Sequence, residues 1–146
     1  MSAPVVAEHH MYDTILVATD GSEAAERAVV QAADLAETFD AHLYAVYVVD
    51  TGRYGRDVLE ESTGVLDDLE ARGRGLLEDV AARCDAEVTT ELRRGRPDEE
   101  IDALAAELDA DLVVLGNRGL GTGPDGQIGS VAERVVRSVG RPVITA

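Results

Sequence analysis

Hydrophobic and polar residues alternate along the chain in blocks of two different periods. Short apolar or alternating segments, typical of buried strands, occupy residues 14–18, 43–49, 86–92, 112–115 and 142–145. Between them, apolar residues recur at the spacing of one helix face over residues 22–39, 58–83, 97–108 and 130–139. The pattern therefore predicts five strands that alternate with four helices.

The longest helical stripe, residues 58–83, contains three glycines. Gly64, Gly73 and Gly75 each weaken a helix by about 1 kcal/mol relative to alanine. The segment is therefore predicted to form either one helix or two shorter ones.

Strict alternation of strands and helices is typical of an open parallel sheet with helices on both faces. Such sheets bind ligands at the carboxyl ends of the strands, beside the point where the strand order reverses. The loops after the first and fourth strands, 18–22 and 116–130, carry the most suggestive chemistry. A shared site requires these two strands to be neighbours, which the order 3-2-1-4-5 satisfies. We therefore predict a Rossmann-like α/β domain over residues 13–146, preceded by a disordered extension at residues 1–12.

The chain is strongly acidic. Its 146 residues include 29 acidic and 13 basic ones, which gives a formal net charge of −16, and every basic residue is an arginine. Such a charge repels nucleic acids and anionic membrane surfaces. We interpret it as a surface adapted to high salt, where charge repulsion is screened. The alternative is an ordinary acidic protein from a GC-rich genome, since that bias also favours arginine over lysine.

Cysteine content and hydropathy bear on the location of the protein. The single cysteine, Cys84, excludes an intramolecular disulfide and a cysteine-only metal cluster. The amino-terminal residues lack the pattern of a signal peptide, and no apolar run approaches the ~20 residues that span a bilayer. We therefore expect a cytoplasmic protein that does not associate with membranes.

Six glycines stand in the loop after the fourth strand, at positions 116, 119, 121, 123, 126 and 129. They allow the backbone to approach a ligand closely. A helix begins directly afterwards, and the free N–H groups at its start favour an anion such as phosphate. The alternative for Ser130 and Glu133 is a capping box that needs no ligand. We predict a phosphate-binding loop.

Two other phosphate motifs do not fit this loop. Residues 121–126 read G-x-G-x-x-G, but they follow the fourth strand, contain Pro124 and open no helix. A Rossmann dinucleotide site is therefore not expected. A Walker A loop requires a lysine beside the phosphates, and this chain has no lysine.

An ordered set of motifs resembles the universal stress protein family. The spacing Gly116-x2-Gly119-x9-Gly129-Ser130 matches the nucleotide-binding signature of that family. Further similar segments lie at residues 15–22, 95–97, 129–135 and 141–144, and the resemblance covers residues 11–146. Together with the charge balance, it indicates a haloarchaeal member of the family.

The resemblance implies a regulatory or stress-protective protein that binds ATP or another adenine nucleotide and forms a homodimer. By the same resemblance, the nucleotide would contact Ala18, Thr19, Asp20, Val48, Leu115, Gly116, Arg118, Gly119, Gly129, Ser130 and Val131. Asp20 would accept a hydrogen bond from the adenine or the ribose. The alternatives are that Asp20 and Ser22 form a turn and a helix cap, and that Val48 and Leu115 are core residues.

Two positions depart from the family pattern. Ala132 stands where nucleotide-binding members often have a Ser or Thr, and Asp125 adds a negative charge near the expected phosphates. Asp125 either weakens triphosphate binding or helps to hold Mg²⁺, which prefers carboxylate and phosphate oxygens. These departures leave open a second function, that of a dimeric interaction module that has lost nucleotide binding.

No enzymatic activity beyond that of a weak ATPase is expected. The sequence has no evident pair of general acid and base and no Ser-His-Asp set. Phosphoryl transfer relies on positioned cations, and Arg118 is the only cation in the loop. His42 stands at the start of a strand, at the opposite end from the expected site.

Overall fold

The computed structural model of the protein describes residues 12–51, 63–117 and 130–146. Its elements are β1 (Thr14–Ala18), α1 (Glu23–Phe39), β2 (His42–Asp50), α2 (Thr63–Arg83), β3 (Val88–Gly95), α3 (Pro97–Leu108), β4 (Leu112–Leu115), α4 (Ser130–Ser138) and β5 (Val143–Thr145). The strands form one parallel sheet in the order β3-β2-β1-β4-β5. The predicted fold class and strand order are confirmed, while all of the expected extension except Tyr12 lies outside the described residues.

Helices cover both faces of the sheet, and each face has its own apolar cluster. The cluster beneath α1 and α2 includes Ile15, Val17, Ala28, Val29, Leu77, Val80 and Val114. The cluster beneath α3 and α4 includes Leu16, Ala18, Val46, Ile101, Leu104, Leu115 and Val135. Successive residues of β1 alternate between the two clusters, as the pleat requires. Strands buried on both faces read as continuous apolar runs, which is why they could be recognised.

The buried stripe of α1 consists mainly of alanine. Its members are Ala24, Ala25, Ala28, Val29, Ala32 and Ala36. Small side chains allow the helix to lie close to the sheet at normal packing density. This arrangement suits a chain that has no tryptophan and only 3% aromatic residues.

α1 begins with a side-chain cap, α3 begins with a proline, and both helices have a left-handed C-cap. The Ser22 hydroxyl accepts a hydrogen bond from the Ala25 N–H at 3.2 Å, and Pro97 stands in the first turn of α3. Both helices end at an aspartate in the left-handed conformation, Asp40 with φ 53° and Asp109 with φ 51°. Glycine is the usual residue at such a position.

α2 is one continuous helix over residues 63–83. Gly73 lies against the sheet, where a Cβ would come within 2.8 Å of Leu92 Cδ1 and would overlap the Tyr47 ring. The glycine is therefore needed for close packing, which outweighs its low helix propensity. Of the two alternatives, one helix is correct for this range, and residues 58–62 lie outside the described part of the chain.

Arginine ion pairs join β3, at one edge of the sheet, to helices on both faces. Arg93 Nη2 donates to Glu107 of α3 at 2.6 Å, and Arg93 Nη1 lies 3.5 Å from Glu100. The hydrogen bond to Glu107 raises the pKa of Arg93, and the same bond lowers the pKa of the Glu107 carboxyl. On the other face, Arg94 Nε donates to the buried Glu70 of α2 at 2.6 Å.

β3 lies further along the chain than predicted. The alternating pattern suggests residues 86–92, but the strand spans Val88–Gly95. It extends this far because it pairs with β2 as far as Asp50↔Gly95. The hydropathy pattern does not predict this end of the strand, because Arg93 and Arg94 are charged. Their charges are satisfied by ion pairs that form only in the tertiary structure.

Replacing glycines of α2 with alanine separates packing from helix propensity. We expect Gly73→Ala to lower the free energy of unfolding by about 1–3 kcal/mol, because the new Cβ would overlap Tyr47 and Leu92. Gly75→Ala is the matched control and should raise it by about 0.5–1 kcal/mol, since a Cβ there meets no other atom. Urea unfolding of both variants in molar KCl measures the difference. Equal effects would contradict the packing of α2 on the sheet through Gly73.

Candidate functional site

The carboxyl ends of β1 and β4 lie side by side at the point where the strand order reverses. β1 pairs with β2 on one side and with β4 on the other, in the registers Ala18↔Val46 and Val17↔Val114. From here the chain continues to α1 on one face of the sheet and towards α4 on the other. Open α/β sheets bind their ligands at such a reversal.

The turn after β1 is held by its own side chains. Thr19 is only 2% exposed, and its N–H bonds the Val46 carbonyl at 3.0 Å. Thr19 Oγ1 accepts from the Gly21 N–H at 3.2 Å, and Asp20 Oδ1 accepts from the Ser22 N–H at 2.9 Å. The alternative given for Asp20 and Ser22, a turn and a helix cap, is confirmed. One carboxylate oxygen of Asp20 is thereby committed to the turn.

Gly116 brings the end of β4 against the start of α1. A Cβ at this position would lie 2.7 Å from the Ala24 carbonyl carbon and 2.8 Å from the Ala25 nitrogen. These are backbone atoms in the first turn of a capped helix, so they cannot move aside as a flexible side chain would. Glycine is therefore required here by the packing of two elements, independently of any ligand.

Three of the predicted nucleotide contacts are apolar residues that share one face of the sheet. Ala18, Val48 and Leu115 lie at the carboxyl ends of adjacent strands, in the cluster beneath α3 and α4. Their exposed fractions are 3%, 7% and 1%. The structure thus brings them together, and it also bears out the alternative that Val48 and Leu115 are core residues.

The predicted phosphate-binding segment is only partly among the described residues. α4 begins at Ser130, as expected, and Val131 and Ala132 are buried in the cluster that contains Leu115. The start of α4 therefore lies on the same face of the sheet as the three apolar residues. The other predicted residues of the loop lie outside the described parts of the chain; they are Arg118, Gly119, Asp125 and Gly129.

Asn117, which the sequence analysis did not single out, has a buried acceptor at this edge. Its N–H bonds the Ala146 carbonyl at 2.9 Å. Its Oδ1 is buried and has no hydrogen-bond donor among the residues that the structure describes. A buried acceptor of this kind suits a ligand that carries N–H or O–H groups. The glycine spacing points to the neighbours of Asn117 but not to Asn117 itself.

Arg72 of α2 is a second residue that the sequence analysis missed. Its Nη2 donates to the Asp20 carbonyl at 3.3 Å. The sequence draws attention to Arg118 as the cation of the loop, whereas the structure places Arg72 at the neighbouring turn. Arg72 and Asp20 are separated by 52 residues, so no local pattern could have paired them.

Groups suited to catalysis or metal binding are scarce in the described residues. In residues 12–51, 63–117 and 130–146, no three His, Cys, Asp or Glu side chains are grouped so that they could hold a metal ion. His42 contacts Glu87 at 2.9 Å and Thr89 at 2.7 Å, at the amino end of the sheet, as expected. Burial raises the pKa of the half-buried Cys84 thiol, which disfavours the reactive thiolate.

The helices in the described part of the chain are too short or too polar to cross a membrane.

The family model described as the universal stress protein family matches residues 11–146. The chain belongs to the universal stress protein family. A universal stress protein of Methanocaldococcus jannaschii is 35% identical over 140 residues, which cover 92% of this chain and 82% of that protein. A solved universal stress protein of Lactobacillus plantarum has a TM-score of 0.80 and 31% identity, covering 92% of this chain and 97% of the other.

Two related structures contain an adenine nucleotide. A universal stress protein in complex with cAMP has a TM-score of 0.63 and 28% identity, covering 92% of this chain and 96% of that one. A universal stress protein of Archaeoglobus fulgidus in complex with dAMP has a TM-score of 0.58 and 27% identity, covering 92% and 98%.

The relatives do not support the haloarchaeal origin that the charge balance suggests. The relatives matched by sequence include proteins of the methanogen Methanocaldococcus jannaschii and of Staphylococcus species. Family membership and charge are therefore separate observations, and the interpretation of the surface as adapted to high salt depends on the charge alone.

Proposed function

We propose that the protein binds ATP or another adenine nucleotide and acts as a cytoplasmic regulator in a stress response. The observation that carries this proposal is the meeting of the turn after β1, Gly116 and the start of α4 at one edge of the sheet. The related structures that hold cAMP and dAMP support an adenine nucleotide as the ligand.

The nucleoside part of such a ligand suits the acceptors at this edge. Adenine and ribose carry N–H and O–H donors. Asp20 has a second carboxylate oxygen beyond the one in its turn, and Asn117 Oδ1 is buried with no donor among the described residues. An unsatisfied buried acceptor costs about 1–3 kcal/mol, which a ligand donor would recover. The adenine ring would lie over Ala18, Val48 and Leu115.

The phosphates are assigned to the glycine loop and to the start of α4. Free N–H groups at a helix start attract anions, and those of Gly129, Ser130 and Val131 would bind phosphate oxygens. The backbone of Gly116 would flank the ribose and the phosphates. Gly119 and Arg118 would complete the cradle, the latter through a charge-assisted hydrogen bond. Mg²⁺, bound through the phosphate oxygens and Asp125, is compatible with this assignment.

Asp20→Asn tests the nucleoside contact. Asparagine retains an oxygen for the Ser22 N–H, but it removes the charged acceptor proposed for adenosine. We expect AMP and ATP to bind about ten-fold more weakly or worse, since hydrogen bonds to charged groups contribute about 1.5–3 kcal/mol. Calorimetric titration in molar KCl, with and without Mg²⁺, measures the change.

Asp34→Asn is the control for this change, because it removes the same charge from an exposed position on α1. It should bind nucleotide as the wild type does. The wild-type protein has no tryptophan, so co-purified nucleotide would be visible as a high ratio of 260 to 280 nm absorbance. If the wild type neither retains nor binds nucleotide, the interaction module becomes the better description.

Salt should strengthen nucleotide binding by this acidic protein. A chain of net charge −16 repels a polyanionic nucleotide, and molar salt screens that repulsion. We expect the dissociation constant of ATP to fall as KCl is raised from low to molar concentration. The change should be larger for ATP than for adenosine, which is uncharged. Calorimetric titration measures the affinity, and circular dichroism checks that the protein stays folded at each salt concentration. An ATP affinity that stayed constant or fell as KCl was raised would contradict this prediction.

We further propose that two copies form a homodimer through β5, the last strand of the sheet. Among the described residues, β5 pairs with β4 alone. That pairing uses the Pro142 carbonyl and both backbone groups of Ala146. Because alternate residues of a strand point their backbone groups to opposite sides, those of Val143 and Thr145 point away from β4. An exposed strand edge of this kind is a template for pairing with a second chain.

Thr145→Pro tests this interface without disturbing the β4 ladder. Proline removes an outward-pointing N–H, so the variant should be monomeric, whereas the control Thr145→Ala keeps the N–H and should remain dimeric. Sedimentation velocity measures whether the wild type has twice the 15.5 kDa chain mass. A wild type that sediments as a monomer at micromolar concentration would contradict the proposal.

A further inference from the structure

We propose that Arg72 of α2 positions the turn after β1 for nucleotide binding, an inference that rests on the proposed function above. Arg72 Nη2 donates to the Asp20 carbonyl at 3.3 Å. It therefore contacts the backbone of the residue whose side chain is proposed to accept from adenosine. Arg72 is a positioning residue, because it acts through Asp20 and does not itself touch the ligand.

Three N–H groups of this turn are bonded within the turn or to β2. The Thr19 N–H bonds the Val46 carbonyl, and the N–H groups of Gly21 and Ser22 bond side chains of the turn. The Asp20 carbonyl, in contrast, accepts from a helix distant in sequence. The orientation of that peptide group therefore depends on the Arg72 guanidinium of α2.

Side-chain packing places α2 directly over the turn. A Cβ on Gly21 would lie 3.1 Å from Leu76 Cδ1 and 3.3 Å from Arg72 Nη2. Arg72 and Leu76 are one helical turn apart and so lie on the same face of α2. Gly21, at φ 84°, passes beneath this pair in a conformation that other residues rarely adopt.

α2 is itself anchored on either side of Arg72. Glu70 accepts from Arg94 of β3 at 2.6 Å, and Gly73 lies against Tyr47 and Leu92. The backbone that carries Arg72 is thus fixed by an ion pair before it and a close contact after it. A donor on a rigid element holds its acceptor with less loss of entropy on binding.

Titration of the full chain with adenosine, AMP and ATP tests this role. Arg72→Met keeps the apolar stem but removes the donors, and we expect about three- to ten-fold weaker binding of all three ligands. Arg72→Lys restores a cation and a donor and should recover part of the loss. Arg83→Met is the matched control, because it removes the same charge from the same helix but breaks an ion pair with Glu26 of α1; its affinity should be unchanged.

The ligand series distinguishes positioning from direct contact. An equal loss for adenosine and ATP supports positioning, whereas a loss that grows with the number of phosphates means that Arg72 binds phosphate, and it overturns the inference. In an Asp20→Asn background, Arg72→Met should have little further effect, because both changes act through one group. Fully additive losses would also overturn it.

A measurement without ligand separates this inference from the proposed function. Amide hydrogen exchange at Ser22 should be faster in Arg72→Met than in Arg83→Met, because the turn opens more often. Equal exchange in the two variants refutes the positioning role even if nucleotide binds. A wild type that binds no nucleotide refutes the proposed function and any role of Arg72 in it, while exchange still decides whether Arg72 holds the turn.

Discussion

The structure depends on the close approach of β4 to the first turn of α1. Gly116 faces the backbone of Ala24 and Ala25 with no room for a side chain, and α1 can lie this near because its buried stripe is mainly alanine. Hydrogen-bonded pairing sets the spacing of the two strand ends where the strand order reverses, and the close approach of Gly116 allows α1 to begin directly beside them. The turn after β1 and the end of β4 consequently share one edge, which is the basis of the proposed site.

Polar side chains fix the turn after β1 and the edge strand β3 in place, whereas the apolar clusters hold the helices on the sheet. Thr19, Asp20 and Ser22 close the turn after β1 through side-chain acceptors, a device contained within one short segment. Arg93 and Arg94 work over longer distances, since each joins β3 to a helix on a different face. Arginine suits this task because its guanidinium offers several donors in a fixed plane. In this chain, which has no lysine, arginine ion pairs stabilise the edge strand β3.

Elements and strand order could be predicted because buried strands appear as continuous apolar runs and helices as periodic stripes. The limits of β3 were obscured by Arg93 and Arg94, whose partners lie on other elements. The glycines of α2 lower its helix propensity, and only the packing of Gly73 against the sheet explains why a single helix contains them. Asn117 and Arg72 could not be predicted as site residues, because only tertiary contacts place them at the site. Within the loop, the roles assigned to residues 118–129 remain predictions, since those residues lie outside the described ranges.

Asp40 and Asp109 add negative charge at the negative ends of two helix dipoles. Glycine or asparagine would accept the same left-handed backbone without that electrostatic cost. Arg141 Nη1 lies 3.0 Å from Asp109 Oδ1 and offsets its charge. A glycine or asparagine at this helix end would not need such a partner. Carboxylates thus occupy even those surface positions where the adjacent backbone disfavours them. The acidity of this chain therefore has an electrostatic cost at the ends of two of its own helices.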